Sequence, residues 1–537
     1  MLTVNTVNPF ESLVAARLLE FFDIHTPWQR RLWATGLILT LRETVEASDM
    51  VAAKVLYQNS VKALADTAIV LAGTDLGVTS GDPGIGTSAY KKKLHKLLLS
   101  DLMTGSIQYL ELAQIISDLE SRYLRNWSAA LQANAAGTVT LKAERTARAI
   151  ASHLFDIGFS AEFLFGWFRY AVYSNPAPQT LSEIIADAHA LTESAPKEFE
   201  VLVPFREFPA NQSGTPQGWV EASEVTNFIR DGGFPTNGIR QMGGMWIKVS
   251  ARDAWSAVES VAEIIERFSS RVRLATRDRL LPLPDVYVKS SPKRYSLRRK
   301  RRRVEVDALY RENQLYSFGK AVSRVDSAIE LLSPLDDSTH STAVAGGWAA
   351  IEAILTAPGD DDRLQAGYRM ASLVAASFPR AELTSLSYKL QELGGPLADS
   401  LTACNTNRDR AVAVLSAIRS GRALPFTKAA DIAAIERMRE MAADPQRKLN
   451  DVSGHLSTVF RGFYRNRNIV LHGGKTGAVG LRSSLRNAAP LVGAGMDRIA
   501  HAWFVEGLEP VQIAARAGVR LATVGASDAP DIVDLLM

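Results

Sequence analysis

The residues best suited to chemistry lie in one short run, Phe463-Tyr464-Arg465-Asn466-Arg467-Asn468-Ile469-Val470-Leu471-His472-Gly473-Gly474. An imidazole moves protons near neutral pH, a guanidinium grips phosphoryl oxygens with parallel donors, and an amide orients reacting groups. These types suit attack of a ribose 2′-hydroxyl on the adjacent phosphodiester. His472 would transfer protons, Arg467 would stabilise charge on the phosphoryl oxygens and Asn468 would position them. That reaction requires neither a metal nor an organic cofactor.

A helix must present these groups. Val452, Leu456, Val459, Phe460 and Phe463 form an apolar stripe, and Gly473-Gly474 mark the helix end. On a straight helix Arg467 and His472 point about 140° apart. Arg461, Arg465, Asn468 and His472, spaced four, three and four, share one face instead. Arg465 therefore competes with Arg467 for the essential role; Arg467 is favoured because it directly precedes Asn468. Arg461 is a candidate RNA contact. The plain alternative is a solvated, arginine-rich helix terminus with His472 as its cap.

The pattern Arg467-Asn468-x-x-x-His472 resembles the signature of HEPN ribonucleases, and Tyr464, Asn468-Ile469-Val470 and His472-Gly473-Gly474 are similar to the Apea-like branch. Upstream, GGWAAIEAIL (346–355), with Trp348 and Glu352, resembles the first core helix of that branch. The resemblance covers roughly residues 310–505. It implies a helical bundle that forms a homodimer, placing two motifs in one composite cleft that cuts RNA. It also implies a role in antiviral defence by abortive infection or toxin-like growth arrest, with residues 1–290 sensing a phage-derived trigger. The alternative is a helical scaffold that holds RNA or a protein partner without cleaving it.

Around this motif the sequence predicts a mainly α, multidomain chain. Apolar residues recur every three or four positions through residues 1–173, as in WQRRLWATGLILTLRETVEA (28–47), which predicts an N-terminal helical array. Residues 174–290 read as a small α+β module, in which KEFEVLVPF, GGMWIKVSA and PDVYVKS are strands and 253–272 is a helix. The glycine-rich stretch containing Gly232, Gly233, Pro235, Gly238, Gly243 and Gly244 reads as a loop. Residues 291–309 form a basic linker, and 310–537 the HEPN-like bundle. The linker's Arg298, Arg299, Lys300, Arg301, Arg302 and Arg303 could track a nucleic-acid backbone.

Other signals carry less. Gly81–Ser88 lacks the lysine of a phosphate-binding loop, and VQIAARAGVRLATV (511–524) has a helix-turn-helix cadence but too little chain after it. The remaining histidines have no metal-triad spacing. At 537 residues, 47% apolar and 22% charged, the chain has ample core material. The single cysteine, Cys404, excludes an internal disulfide. The segment 158–173 is too short to span a membrane and no export leader is evident, so the expectation is a cytoplasmic protein without membrane contact.

Overall fold

The computed structural model describes residues 8–79, 86–177, 179–209, 214, 216–235, 240–298, 301–316 and 322–537. The chain is mainly α with one small antiparallel sheet. Its principal helices, in chain order, are α1 (Pro9–Phe22), α2 (Leu37–Ala52), α3 (Ala143–Asp156), α4 (Ala222–Asp231), α5 (Ala254–Ala275), α6 (His340–Leu355), α7 (Leu364–Leu393), α8 (Ala429–Ala443), α9 (Pro445–Leu471) and α10 (Leu481–His501). Two compact units result. One contains Met1–His153, Arg169–His189 and Arg302–Met537; the other contains Leu154–Phe168 and Ala190–Arg301.

The expected separation of an N-terminal array from a C-terminal bundle is therefore not the division observed, because both sets of helices belong to one unit. Charge explains part of this. Arg30, on the 3-10 turn before α2, is 1% exposed and bonds Glu382 of α7 at 3.0 Å and Asp431 of α8 at 2.8 Å. Arg437 of α8 reaches the same Glu382 at 3.0 Å, and Arg17 of α1 bonds Glu144 of α3 at 2.7 Å. Removing such charges from water costs several kcal/mol per ion, so each needs its partner in place. The run 28–47 also breaks into that short turn and α2, with Gly36 capping α2.

At the centre of this unit lies α7, which packs on α6, α8, α9 and α10. Its buried Met370, Leu373, Val374, Leu383, Leu386 and Leu390 follow helical spacing. Trp348 of α6 is fully buried and meets Phe463 and Tyr464 of α9 at 6.0 and 4.8 Å between ring centroids. That contact fixes the roll of α9 immediately before the motif.

Among the described residues the second unit holds six strands: β1 (Lys197–Glu207), β2 (Trp219–Glu221), β3 (Gly243–Ala251), β4 (Leu281–Pro282), β5 (Asp285–Val288) and β6 (Arg294–Ser296). Their order is β2-β3-β1-β5-β6, with β4 also paired to β1 and every pair antiparallel. Alternation along β1 sends Val201, Val203 and Phe205 to the face covered by α5, and Leu202 to the face covered by α4. A capping box at Asp253 and Ser256 starts α5.

Several expected loops prove to be structured. The glycine-rich stretch contributes the end of α4 and the start of β3, where Gly244 faces Leu202 and Val225 too closely for a Cβ; Gly238 lies outside the described residues. Part of the expected linker is β6, whose one inward residue, Tyr295, is buried. Most of the Gly81–Ser88 loop also lies outside the described residues. The supposed helix-turn-helix is one uninterrupted helix, Pro510–Thr523. The segment 158–173 yields a 13-residue helix, Ala161–Tyr173, and no helix among the described residues is long and apolar enough to cross a membrane.

The buried ion pairs generate a stability prediction. Arg30→Met leaves Glu382 with Arg437 alone and Asp431 with Lys389 alone and is expected to cost about 3 kcal/mol in urea unfolding, whereas the double variant Arg30→Met/Glu382→Leu should cost less than the sum of its parts. Burial pushes Glu144 and Asp431 up, but Arg17, Arg148 and Arg437 around Glu144, and Arg30 and Lys389 on Asp431, outweigh it and hold both below the ordinary carboxylate range. Their contribution is complete above about pH 5 and is lost as pH falls through their lowered values. Urea midpoints should therefore drop on acidification, and less so in the double variant.

Candidate functional site

Helix α9 begins at Asp444, whose side chain accepts the Arg447 amide, with Pro445 at the first helical position. Leu456, Val459, Phe460, Phe463, Ile469 and Val470 are buried along one face. The helix stops where the sequence places the glycines. Gly474 has φ +62°, and the amides of Gly473 and Lys475 return to the Ile469 carbonyl at 3.1 and 3.3 Å. His472 occupies the C-cap, its backbone amide bonded at 2.9 Å to the Asn468 carbonyl and its side chain exposed.

The guanidinium of Arg467 joins the proposed residues. Its Nη1 donates to Asn468 Oδ1 at 3.0 Å and lies 3.0 Å from His472 Nε2. Its Nη2 is 3.8 Å from Glu352 Oε2 on α6. Arginine can only donate, so in this contact His472 Nε2 can serve only as the acceptor. The angular separation expected along a straight helix is overcome by reach. Helical side chains lean toward the N-terminus, so the imidazole tilts back over the preceding turn and the long arginine meets it there.

Arg465 is engaged elsewhere. Its Nη2 bonds Glu43 Oε1 of α2 at 2.6 Å, with both side chains largely buried. Arg461 bonds Thr458 Oγ1 at 3.1 Å. The face shared by 461, 465, 468 and 472 thus does not converge; Arg467, Asn468 and His472 do.

No family model, curated protein or solved structure matches this chain. The reading of the site therefore rests on its geometry and on the motif.

The basic run 298–303 is divided. Arg298 and Arg301 are exposed in the sheet-containing unit, while Arg299 and Lys300 lie outside the described residues. In the helical unit Arg302 is committed to backbone, its guanidinium donating to the carbonyls of Leu335 at 3.0 Å and Ser338 at 2.9 Å. Arg303 pairs with Glu305 at 2.6 Å and lies 3.2 Å from His25 Nδ1.

Sequence reasoning missed the acidic pair on α2. Glu43 and Glu46, one turn apart, are 6% and 5% exposed. Glu46 pairs with Lys475 at 2.6 Å and accepts the Val479 amide at 3.1 Å. Glu43 thus holds α9 before His472, and Glu46 holds the turn that follows it. The local sequence gives no sign of this, because the partners lie more than four hundred residues away.

Two changes should test that support. Ala at Gly474 must adopt a left-handed conformation and is expected to cost about 1 kcal/mol. Glu46→Ala leaves the Val479 amide and Lys475 without their carboxylate, at about 1–3 kcal/mol. Both are read by urea unfolding; unchanged midpoints would show that the turn after α9 does not need them.

Proposed function

We propose that the chain is a metal-independent endoribonuclease of the HEPN type. The observation that carries this reading is the contact among Arg467, Asn468 and His472 at an exposed helix end. A scissile phosphate entering there offers Arg467 a charged acceptor in place of the imidazole. That exchange frees His472 Nε2 to take the proton of the ribose 2′-hydroxyl. The 2′-oxygen then bonds to phosphorus, the bond to the 5′-oxygen breaks, and the leaving oxygen takes a proton from a second imidazolium or from water. The products are a 2′,3′-cyclic phosphate and a 5′-hydroxyl. Asn468 steadies the guanidinium, and Glu352 holds it from the opposite side.

The resemblance further supports a dimer that pairs two such sites and a role in antiviral growth arrest. In this reading the N-terminal helices are the route by which a trigger reaches the site, because α2 grips Arg465 and the turn after His472. A fragment beginning at residue 310 loses Glu43, Glu46 and Arg30, so regulation is best tested in the full chain.

The decisive variants follow from the geometry. His472→Ala is expected to lower cleavage of mixed cellular RNA by about 10²–10⁴. Arg467→Ala should lower it by about 10²–10³, and Arg467→Lys should not restore it, since lysine lacks the paired planar donors. Arg465→Ala is expected to lower the unfolding midpoint while retaining cleavage in the folded protein. If RNA is retained on a filter but left intact by the unmodified chain, the noncleaving scaffold is the correct reading.

A further inference from the structure

The basic run at 298–303 is only the end of a larger feature. Between residues 267 and 301 the sequence carries twelve Arg and Lys against two acidic residues, Asp278 and Asp285, in a chain whose net charge is only +4. The fold gathers part of this excess at one end of the sheet. Arg267, Arg271 and Arg273 lie on the last turns of α5, and Arg277 and Arg279 follow it, all exposed. Leu281, two residues later, pairs with Glu207, which brings Arg279 to the end of the sheet at which β1 closes with Arg206 and Glu207. The Asp285–Ser296 pairing and the 2.7 Å bond from the Leu297 amide to the Pro284 carbonyl bring Arg298 to the same end.

Two aromatic rings accompany these cations. Phe208 and Trp219, centroids 4.6 Å apart, are half-buried and pack on the same core as Phe268 and Val272 of α5. Among the described residues, Arg271, Arg273, Arg277 and Arg279 make no ion pair, and Asp285 is taken by Arg294 at 3.1 Å. A helix C-terminus accounts for one or two cations by dipole stabilisation. It does not account for seven arginines drawn from α5, the segment between α5 and β4, β1 and the chain after β6. Uncompensated like charges repel one another, and a polyanion relieves that repulsion with release of counterions.

We propose that this end of the central sheet binds single-stranded RNA, with the arginines following the phosphates and the half-buried Phe208–Trp219 rings available for base stacking. The choice of RNA rests on the nuclease reading; the binding surface itself does not. In that setting the central module captures the strand, a task separate from cutting it.

The test is fluorescence anisotropy of the full chain with a labelled 2′-O-methyl oligouridine, which has no free 2′-hydroxyl and cannot be cleaved. Arg271→Ala/Arg273→Ala/Arg277→Ala/Arg279→Ala should raise Kd at least about tenfold and flatten the log–log salt dependence by about 2–3. The pair Arg277→Gln/Arg279→Gln, which lies beyond the helix, should give about half that change in slope and serves if the quadruple variant unfolds. Removal of four cations elsewhere, by Lys62→Ala/Lys92→Ala/Lys93→Ala/Lys96→Ala, should leave Kd within about twofold. Unlabelled single strand should compete better than duplex of equal length. Unchanged Kd and slope in both arginine variants, an equal loss in the lysine variant, equal competition by duplex, or stronger displacement by phosphatidylserine vesicles would each overturn the proposal. Because the probe is uncleavable, failure of the nuclease reading appears in a different assay.

Discussion

The cleavage chemistry proposed for this protein depends on where α9 stops. If the helix ran one turn further, His472 would lie within a continuous cylinder and its backbone would be fixed by the residues after it. Gly474, in the left-handed conformation, ends the helix so that the imidazole lies at its rim, within reach of Arg467. Upstream, Trp348 against Phe463 and Tyr464 fixes the rotation of the helix. Downstream, Glu46 fixes the turn. The exposed end is thus held by buried contacts on both sides, which is how a few polar groups keep a defined geometry while remaining open to a ligand.

That support comes from both ends of the chain. Helices from the first hundred and fifty residues and from the last two hundred and forty form one unit, joined by buried charges such as Arg30 with Glu382 and Asp431. Buried pairs of this kind are poor sources of net stability but costly to break, so they favour a single mode of assembly. A signal acting on α2 has a short physical path to the motif, through Glu43 to Arg465 and through Glu46 to Lys475.

Features set by local chemistry were legible in the sequence. The apolar stripe of Leu456, Val459, Phe460 and Phe463, the glycine stop, the three main strands and the helix from residue 253 all follow from periodicity and capping. Features that depend on distant residues were not. Whether Arg465 or Arg467 is available depends on Glu43, and helical spacing alone favoured the arginine that turns out to be occupied. The joining of the N-terminal helices to the C-terminal ones in one unit was hidden for the same reason, because no local pattern announces an ion pair between Arg30 and Glu382. Helix α4 and the short strand β2 were hidden among glycines and polar residues. Strand β6 was hidden within a run of basic residues whose one inward ring, Tyr295, gives too brief an alternation to read.

The central claim is that one imidazole and one guanidinium, held together at a helix end, direct a ribose hydroxyl onto its own phosphodiester. Mapping the ends of RNA cut by the purified chain in the presence of a chelator tests it most directly. The account predicts 5′-hydroxyl termini opposite 2′,3′-cyclic phosphates or the 3′-phosphates they open to. Termini bearing 5′-phosphate and 3′-hydroxyl would contradict it, because water rather than the neighbouring hydroxyl would then have attacked.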